Sequence, residues 1–422
     1  MNIGIFTDTY YPQISGVSTS VIILKKELEL LGHHVYIFTS SDSQADLENE
    51  KGHVFRFPSF SALVVPDRRL AVLGFIKAAQ IAQRLNLDII HTQTEFSMGL
   101  MGKHVAKKLA IPFVHTYHTM YEDYLHYVGK GYLITPKMVE KLTLNFCKQA
   151  HTIIAPTAKV YKKLHEYGVQ NHVEIIPTGI DFSKFSQSKV RENQLSNIRR
   201  QLGLHPDDKI IITISRLAKE KNISAIIKAM PDVIRQLPQA KLVIVGDGPS
   251  RLKLEQLAIE LNLQQHCFFT GQKEWREIPL YYRLGEIFVS ASTSETQGLT
   301  YFEAMASEMP VVAKRDASLK SVIEDHVTGY LFDHDQQLAD LLIRVFQEKE
   351  QWPKLVENAK QRIYPVSSKQ FAGDVESVYQ KAEKEYVIPN ENRLKSSLHS
   401  MSTFILLTGR KVHISRKASR HK

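Results

Sequence analysis

The chain contains only two cysteines, Cys147 and Cys267, far apart and in no metal-ligand spacing. That excludes a disulfide framework and a cysteine-built zinc site, and it suits structural thiols in a reducing compartment. No uninterrupted apolar run approaches the roughly 20 residues that span a bilayer. Met1 leads straight into the strand-like N-I-G-I-F with no basic leader, so a cytoplasmic protein is expected. There is no G-x-G-x-x-G fingerprint: V-G-D-G-P at 245–249 has the wrong spacing and no matching downstream acid, which removes a nicotinamide dehydrogenase. Acidic residues are missing altogether after Glu391, where Arg393, Lys395, Arg410, Lys411, Arg416, Lys417, Arg420 and Lys422 sit. Of the net charge of +10 that tail supplies +8, so the body is nearly neutral. A neutral body lacks the basic face that nucleic acid requires.

What is present is length and alternation. At 422 residues, with 43% hydrophobic and 23% charged residues, the chain can build two independent cores. Short apolar runs at Ile3–Phe6, Val35–Thr39, Val54–Phe57, Ile89–Thr92, Phe113–Thr116, Thr152–Ala155 and Val173–Ile176 read as strands. A second series runs through Ile210–Ser215, Leu242–Val245, Phe268–Thr270, Phe288–Ser290 and Val311–Ala313. Helical patterns lie between many of them, so both series predict α/β, doubly wound, Rossmann-like domains facing across a cleft. The expected division is residues 1–180, residues 181–366, a helix at 367–388 packing back on the first domain, and a basic tail at 389–422.

The chemistry-bearing residues fall at strand ends. S-E-T-Q-G-L-T-Y-F-E-A-M-A places Glu295 in a strand-to-helix crevice, and Glu303 about two helical turns further on. Carboxylates accept paired hydrogen bonds from vicinal hydroxyls, and amides around Gly298 and Leu299 can meet an anion. This suits a nucleotide sugar. Gly16 opens a helix after the first strand, and S-R-L-A-K-E-K-N sets Arg216 and Lys221 on a loop where two cations suit a diphosphate. Gly246 closes the next strand in a tight turn lining the same pocket. In H-T-Y-H-T-M-Y-E-D-Y, His118 reaches the cleft for a sugar hydroxyl or charge at an anomeric centre, while His115 stays in the strand. Tyr121, Tyr124 and Tyr127 belong to a polar, glycine-containing loop suited to an acceptor or a membrane interface.

On F-T-D-T-Y-Y-P-Q-I-S-G-V-S-T-S, H-T-Q-T-E-F-S, H-T-Y-H-T-M-Y-E-D-Y, P-T-G-I-D, S-R-L-A-K-E-K-N, V-G-D-G-P and S-T-S-E-T-Q-G-L-T-Y-F-E-A-M-A, the chain resembles retaining GT-B glycosyltransferases of family 4. Within that family it looks most like the bacterial branch that glucosylates diacylglycerol. The resemblance spans roughly Met1 to Tyr386 and leaves out the basic tail. It implies an α-hexose, glucose favoured, moved from UDP-hexose to the 3-hydroxyl of 1,2-diacylglycerol with retention of configuration. Glu295 and His118 would act at the reacting sugar, and Glu303 on the ribose. Arg216, Lys221, Gly16 and the amides after Glu295 would grip the diphosphate. No D-x-D motif is placed to hold a diphosphate, so no tightly bound cofactor and no metal are expected, the cations replacing one.

A diacylglycerol acceptor stays in the bilayer, so the enzyme must come to it. Pro66–Leu85 reads as one helix with Arg68, Arg69 and Lys77 among apolar residues, either a packed surface helix or a contact with anionic membrane. Peripheral binding at the inner face of the cell membrane follows from the second reading. Transfer to a glycosylated lipid or a polysaccharide precursor is the alternative acceptor reading, and a non-catalytic sugar-nucleotide scaffold is the alternative outside catalysis.

Overall fold

A computed structural model describes residues 1–386, apart from 14, 62–68, 72, 121, 123–134, 186–191 and 293. The strands, in chain order, are β1 (Asn2–Thr7), β2 (His34–Ser40), β3 (Val54–Phe57), β4 (Phe60–Ser61), β5 (Arg69–Leu70), β6 (Ile89–Thr92), β7 (Phe113–Thr116), β8 (Thr152–Ala155) and β9 (His172–Ile175). The second half adds β10 (Lys209–Ile214), β11 (Ala240–Val245), β12 (Cys267–Gly271), β13 (Ile287–Ser290), β14 (Val311–Lys314) and β15 (Tyr330–Phe332). They form a seven-stranded sheet, β3-β2-β1-β6-β7-β8-β9, and a six-stranded sheet, β12-β11-β10-β13-β14-β15. The two sheets are parallel throughout, as continuous apolar strands covered on both faces must be. Each sheet is buried between two apolar layers.

The chain crosses between the sheets twice at one place. Ile180 pairs with Ser367. Its amide donates to the carbonyl of Val366 at 2.9 Å, and the Ser368 amide returns the bond at 3.0 Å. The long helix Ser368–Glu385 then lies on the first sheet. Phe371, Val375, Val378, Tyr379 and Ala382 repeat at helical spacing and pack on Ile3, Ile5, Val21, Leu24 and Leu28. Ser368 also donates to the buried carboxylate of Glu27 at 2.8 Å.

The pattern at Pro66–Leu85 does not fold as one helix. The helix is Phe75–Arg84, entered through Gly74 at φ +113, a left-handed step that ends any helix coming from before it. Arg69 lies instead in β5, paired antiparallel with β4, and its guanidinium donates to Ser59 Oγ and to the Ser59 carbonyl, both at 3.0 Å. Lys77 is on the helix and exposed; Arg68, Tyr121, Tyr124, Tyr127 and the basic tail lie outside the described residues.

Candidate active site

Each sheet reverses its strand order once, between β1 and β6 in the first and between β10 and β13 in the second. Ligand crevices open at strand C-terminal ends where such a reversal occurs, because neighbouring loops there diverge to opposite faces. Gly16 follows β1, Gln93 follows β6, Arg216 follows β10 and Glu295 follows β13.

Glu295 stands in the loop between β13 and the helix Leu299–Ala306. Lys221 Nζ donates to its Oε1 at 2.6 Å, and both side chains are largely sheltered, at 18% and 11% exposure. Lys221 ends the short turn Lys219–Lys221, which Asn222 closes in the left-handed conformation at φ 48. The two groups singled out in separate motifs thus meet directly, and sheltering strengthens their attraction.

Glu303 lies in the same short helix as Leu299, buried, and Tyr282 donates its hydroxyl to Oε2 at 2.9 Å. Burial lifts the Glu303 carboxyl from 4.5 to about 7, against the opposing pull of the Tyr282 bond. Gly298 caps the helix at φ +76, and a Cβ there would stand 2.5 Å from the ring of Tyr301. Across the cleft, a Cβ built on Gly16 would lie 3.9 Å from Leu299 Cδ1. The helices Gly16–Leu30 and Leu299–Ala306 therefore bring their N-termini together from opposite domains, where amides without intrahelical acceptors and two positive dipole ends coincide. One of those amides, that of Ser18, is already bonded to the Ser15 cap at 3.1 Å.

Arg216 is exposed on the turn after β10. That turn is backed by Gly246, at φ +135, whose amide donates to the Gly271 carbonyl at 3.0 Å. A Cβ on Gly246 would fall 1.9 Å from the Ser215 carbonyl oxygen, so only glycine permits the approach. Gly246 sets the backbone beneath Arg216.

His118 is not the free ring that its place in the sequence suggests. Its Nε2 is bonded to Gln93 Oε1 at 2.7 Å. Burial, with His115 nearby, pushes its pKa down to about 3, so the imidazole is neutral. His115 is fully buried between Thr92 Oγ1 at 2.9 Å and Glu95 Oε1 at 3.1 Å. His91, also buried and held neutral by its burial, bridges Tyr379 of the returning helix at 2.6 Å and Thr116 at 2.7 Å. The motifs H-T-Q and H-T-Y-H are thus two facing strand ends that lock one another.

Sequence reasoning missed a set of residues that bind the Glu295 loop from the first domain. Lys159 Nζ donates to the Glu295 carbonyl at 3.1 Å and to Asp316 at 3.2 Å. Thr157 Oγ1 donates to the Thr296 carbonyl at 3.0 Å. Gln297 spans the crossover segment, accepting the Thr178 amide at 2.8 Å and donating to its carbonyl at 2.9 Å. The one signal available was position: Thr157 and Lys159 immediately follow β8 at the cleft edge.

Residues 14–184 match the model for Glycosyltransferase Family 4, and residues 195–362 match the model for Glycosyl transferases group 1. The chain is 42% identical to the alpha-monoglucosyldiacylglycerol synthase of Streptococcus pneumoniae over 90% of its length and 85% of the relative's. It belongs to glycosyltransferase family 4. The synthase of the same name from Acholeplasma laidlawii is 36% identical, over 90% of this chain and 96% of that one. HepE from Anabaena, solved with UDP-glucose, shares the fold with a TM-score of 0.73 at 19% identity, covering 90% of this chain and 99% of its own. Sucrose-phosphate synthase from Thermosynechococcus elongatus gives 0.73 at 21% identity over 90% and 99%. This glycosyltransferase therefore has the GT-B architecture of two Rossmann-like domains.

Proposed function

We propose that this glycosyltransferase moves an α-glucosyl group from UDP-glucose to the 3-hydroxyl of 1,2-diacylglycerol, with retention, at the inner face of the cell membrane. The observation that carries the donor half is the Lys221–Glu295 pair, set beside two converging helix N-termini. The acceptor half is supported by two relatives, 42% and 36% identical, that are named for making alpha-monoglucosyldiacylglycerol.

In this reading Glu295 accepts hydrogen bonds from hexose hydroxyls, and its partner Lys221, with three donors, also faces the diphosphate. Arg216 and the helix amides share the negative charge that grows as the bond from the anomeric carbon to the diphosphate oxygen breaks. With these cations in place, the reading needs no metal. Glu303 holds the ribose hydroxyls. His118, neutral and anchored by Gln93, offers a fixed dipole to the sugar rather than a charge. The lipid hydroxyl bonds to the anomeric carbon on the face the diphosphate leaves, and its proton passes to the departing diphosphate oxygen. That order keeps the α configuration.

Incubation with labelled UDP-glucose or UDP-galactose, and with diacylglycerol vesicles or soluble acceptors, tests the assignment. An α-linked monoglucosyl lipid is expected from UDP-glucose, and Glu295→Ala should lower its rate by about 100-fold. Label on no lipid, or a parental rate in the variant, rejects the reading.

A further inference from the structure

Three consecutive residues of the donor loop are gripped by residues outside the second domain's own sheet. Lys159 and Thr157 hold the carbonyls of Glu295 and Thr296, and Gln297 is bonded to Thr178 at the crossover. Thr157 does this while capping its own helix, Ala158–Glu166, where its oxygen accepts the Val160 amide at 3.4 Å. Lys159 is further fixed by Asp316, which caps the turn Ala317–Leu319 through the Ser318 amide at 2.8 Å. Glu295 is therefore held at both ends, its carboxylate by Lys221 of the second domain and its carbonyl by Lys159 of the first.

We propose that Lys159, assisted by Thr157, is a positioning residue of the transfer: it aligns the Glu295 loop, and with it the donor sugar, from the opposite domain. The inference rests on the proposed donor role of Glu295. Two successive carbonyls, Glu295 fixed by an ammonium and Thr296 by a hydroxyl, leave the loop little freedom, and displacement of a reacting group by about 1 Å costs on the order of 100-fold in rate. The nucleotide end of the donor has further holds in this reading, Arg216 and Glu303, which lie outside the Glu295–Gln297 segment. Loss of Lys159 should thus lower kcat far more than it weakens binding of UDP.

The test compares the parent, Lys159→Met and Lys159→Arg in full-length protein. With UDP-glucose and diacylglycerol vesicles, Lys159→Met should lose roughly 10- to 100-fold in kcat, with Kd for UDP changed less than threefold and an unaltered melting midpoint. Lys159→Arg, which keeps charge and donors, should recover most of the rate. Amides of residues 294–298 should exchange hydrogen faster in Lys159→Met. An inactive parent would reject the functional reading; an active parent with parental kcat and unchanged loop exchange in Lys159→Met would reject this inference alone.

Discussion

Glu303 is the residue whose environment sets a measurable pH dependence. Its folded-state pKa of about 7 lies above the ordinary 4.5, so between those values the folded protein keeps a proton that the unfolded chain has lost. The carboxyl thus favours folding at low pH, and that advantage disappears as pH rises through about 7. A nucleotide acts in the opposite direction, because ribose hydroxyls donate best to the ionised form and draw the proton off. Affinity for UDP-glucose, which has no ionisation of its own in this range, should rise by up to about tenfold per unit between pH 5.5 and 7 and then level off. Calorimetry in two buffers of different ionisation heat should register close to one proton released at pH 6. Glu303→Gln should lose the slope; a variant retaining it would assign the proton elsewhere. The two acids and Lys221 were legible in sequence because strand ends and helical spacing are local. The Tyr282–Glu303 bond was not, since it joins residues 21 apart that meet only through tertiary packing.

At the scale of elements, the strands were readable where a short, mostly apolar run lies between helical patterns, as at Ile210–Ser215 and Leu242–Val245. β15 escaped because its pairing with β14, Tyr330 opposite Val312, is fixed by the fold rather than by its own pattern. The helix at Phe75–Arg84 was read too long because apolar and basic residues continue at compatible spacing on the other side of Gly74. Glycine at positive φ decides such boundaries, and the effect can be measured at Gly246. Gly246→Ala places a Cβ 1.9 Å from the Ser215 carbonyl oxygen in a backbone region that only glycine adopts readily, so β11 and the Arg216 turn must separate. A loss of about 2–3 kcal/mol is expected, with weaker donor binding. Gly32→Ala, at φ +90 with nothing within 4 Å, carries only the conformational strain, roughly 1–2 kcal/mol, and should leave donor affinity unchanged. Equal effects of the two substitutions on donor affinity would show that the Gly246 contact does not support the Arg216 turn.

On the proposed function, the whole molecule must bring a nearly neutral two-domain body to a lipid that does not leave its bilayer. Among the described residues no helix is long and apolar enough to cross a membrane. The first domain does expose a run of apolar side chains along the hairpin and the helix it feeds: Phe60 at 55%, Leu73 at 71% and Ile76 at 67%, with Lys77 beside them. Arg69, expected to share in that contact, is committed to Ser59, so of the expected basic residues that are described, Lys77 is the one exposed on this edge. Partial burial of two aliphatic side chains in the interface, at roughly 1 kcal/mol each, and about the same for a lysine near an anionic surface, predict a weak and reversible attachment. Replacing Leu73 and Ile76 together by Asp should reduce partition onto anionic vesicles by about 10- to 100-fold, since 1.4 kcal/mol is a factor of ten. Lys77→Ala should weaken binding to anionic vesicles more than to neutral ones, and added salt should remove that difference. Turnover of a water-soluble short-chain diacylglycerol should survive both changes, because neither touches the cleft. Unchanged sedimentation with vesicles in the double Asp variant would move the membrane contact to another face of the protein.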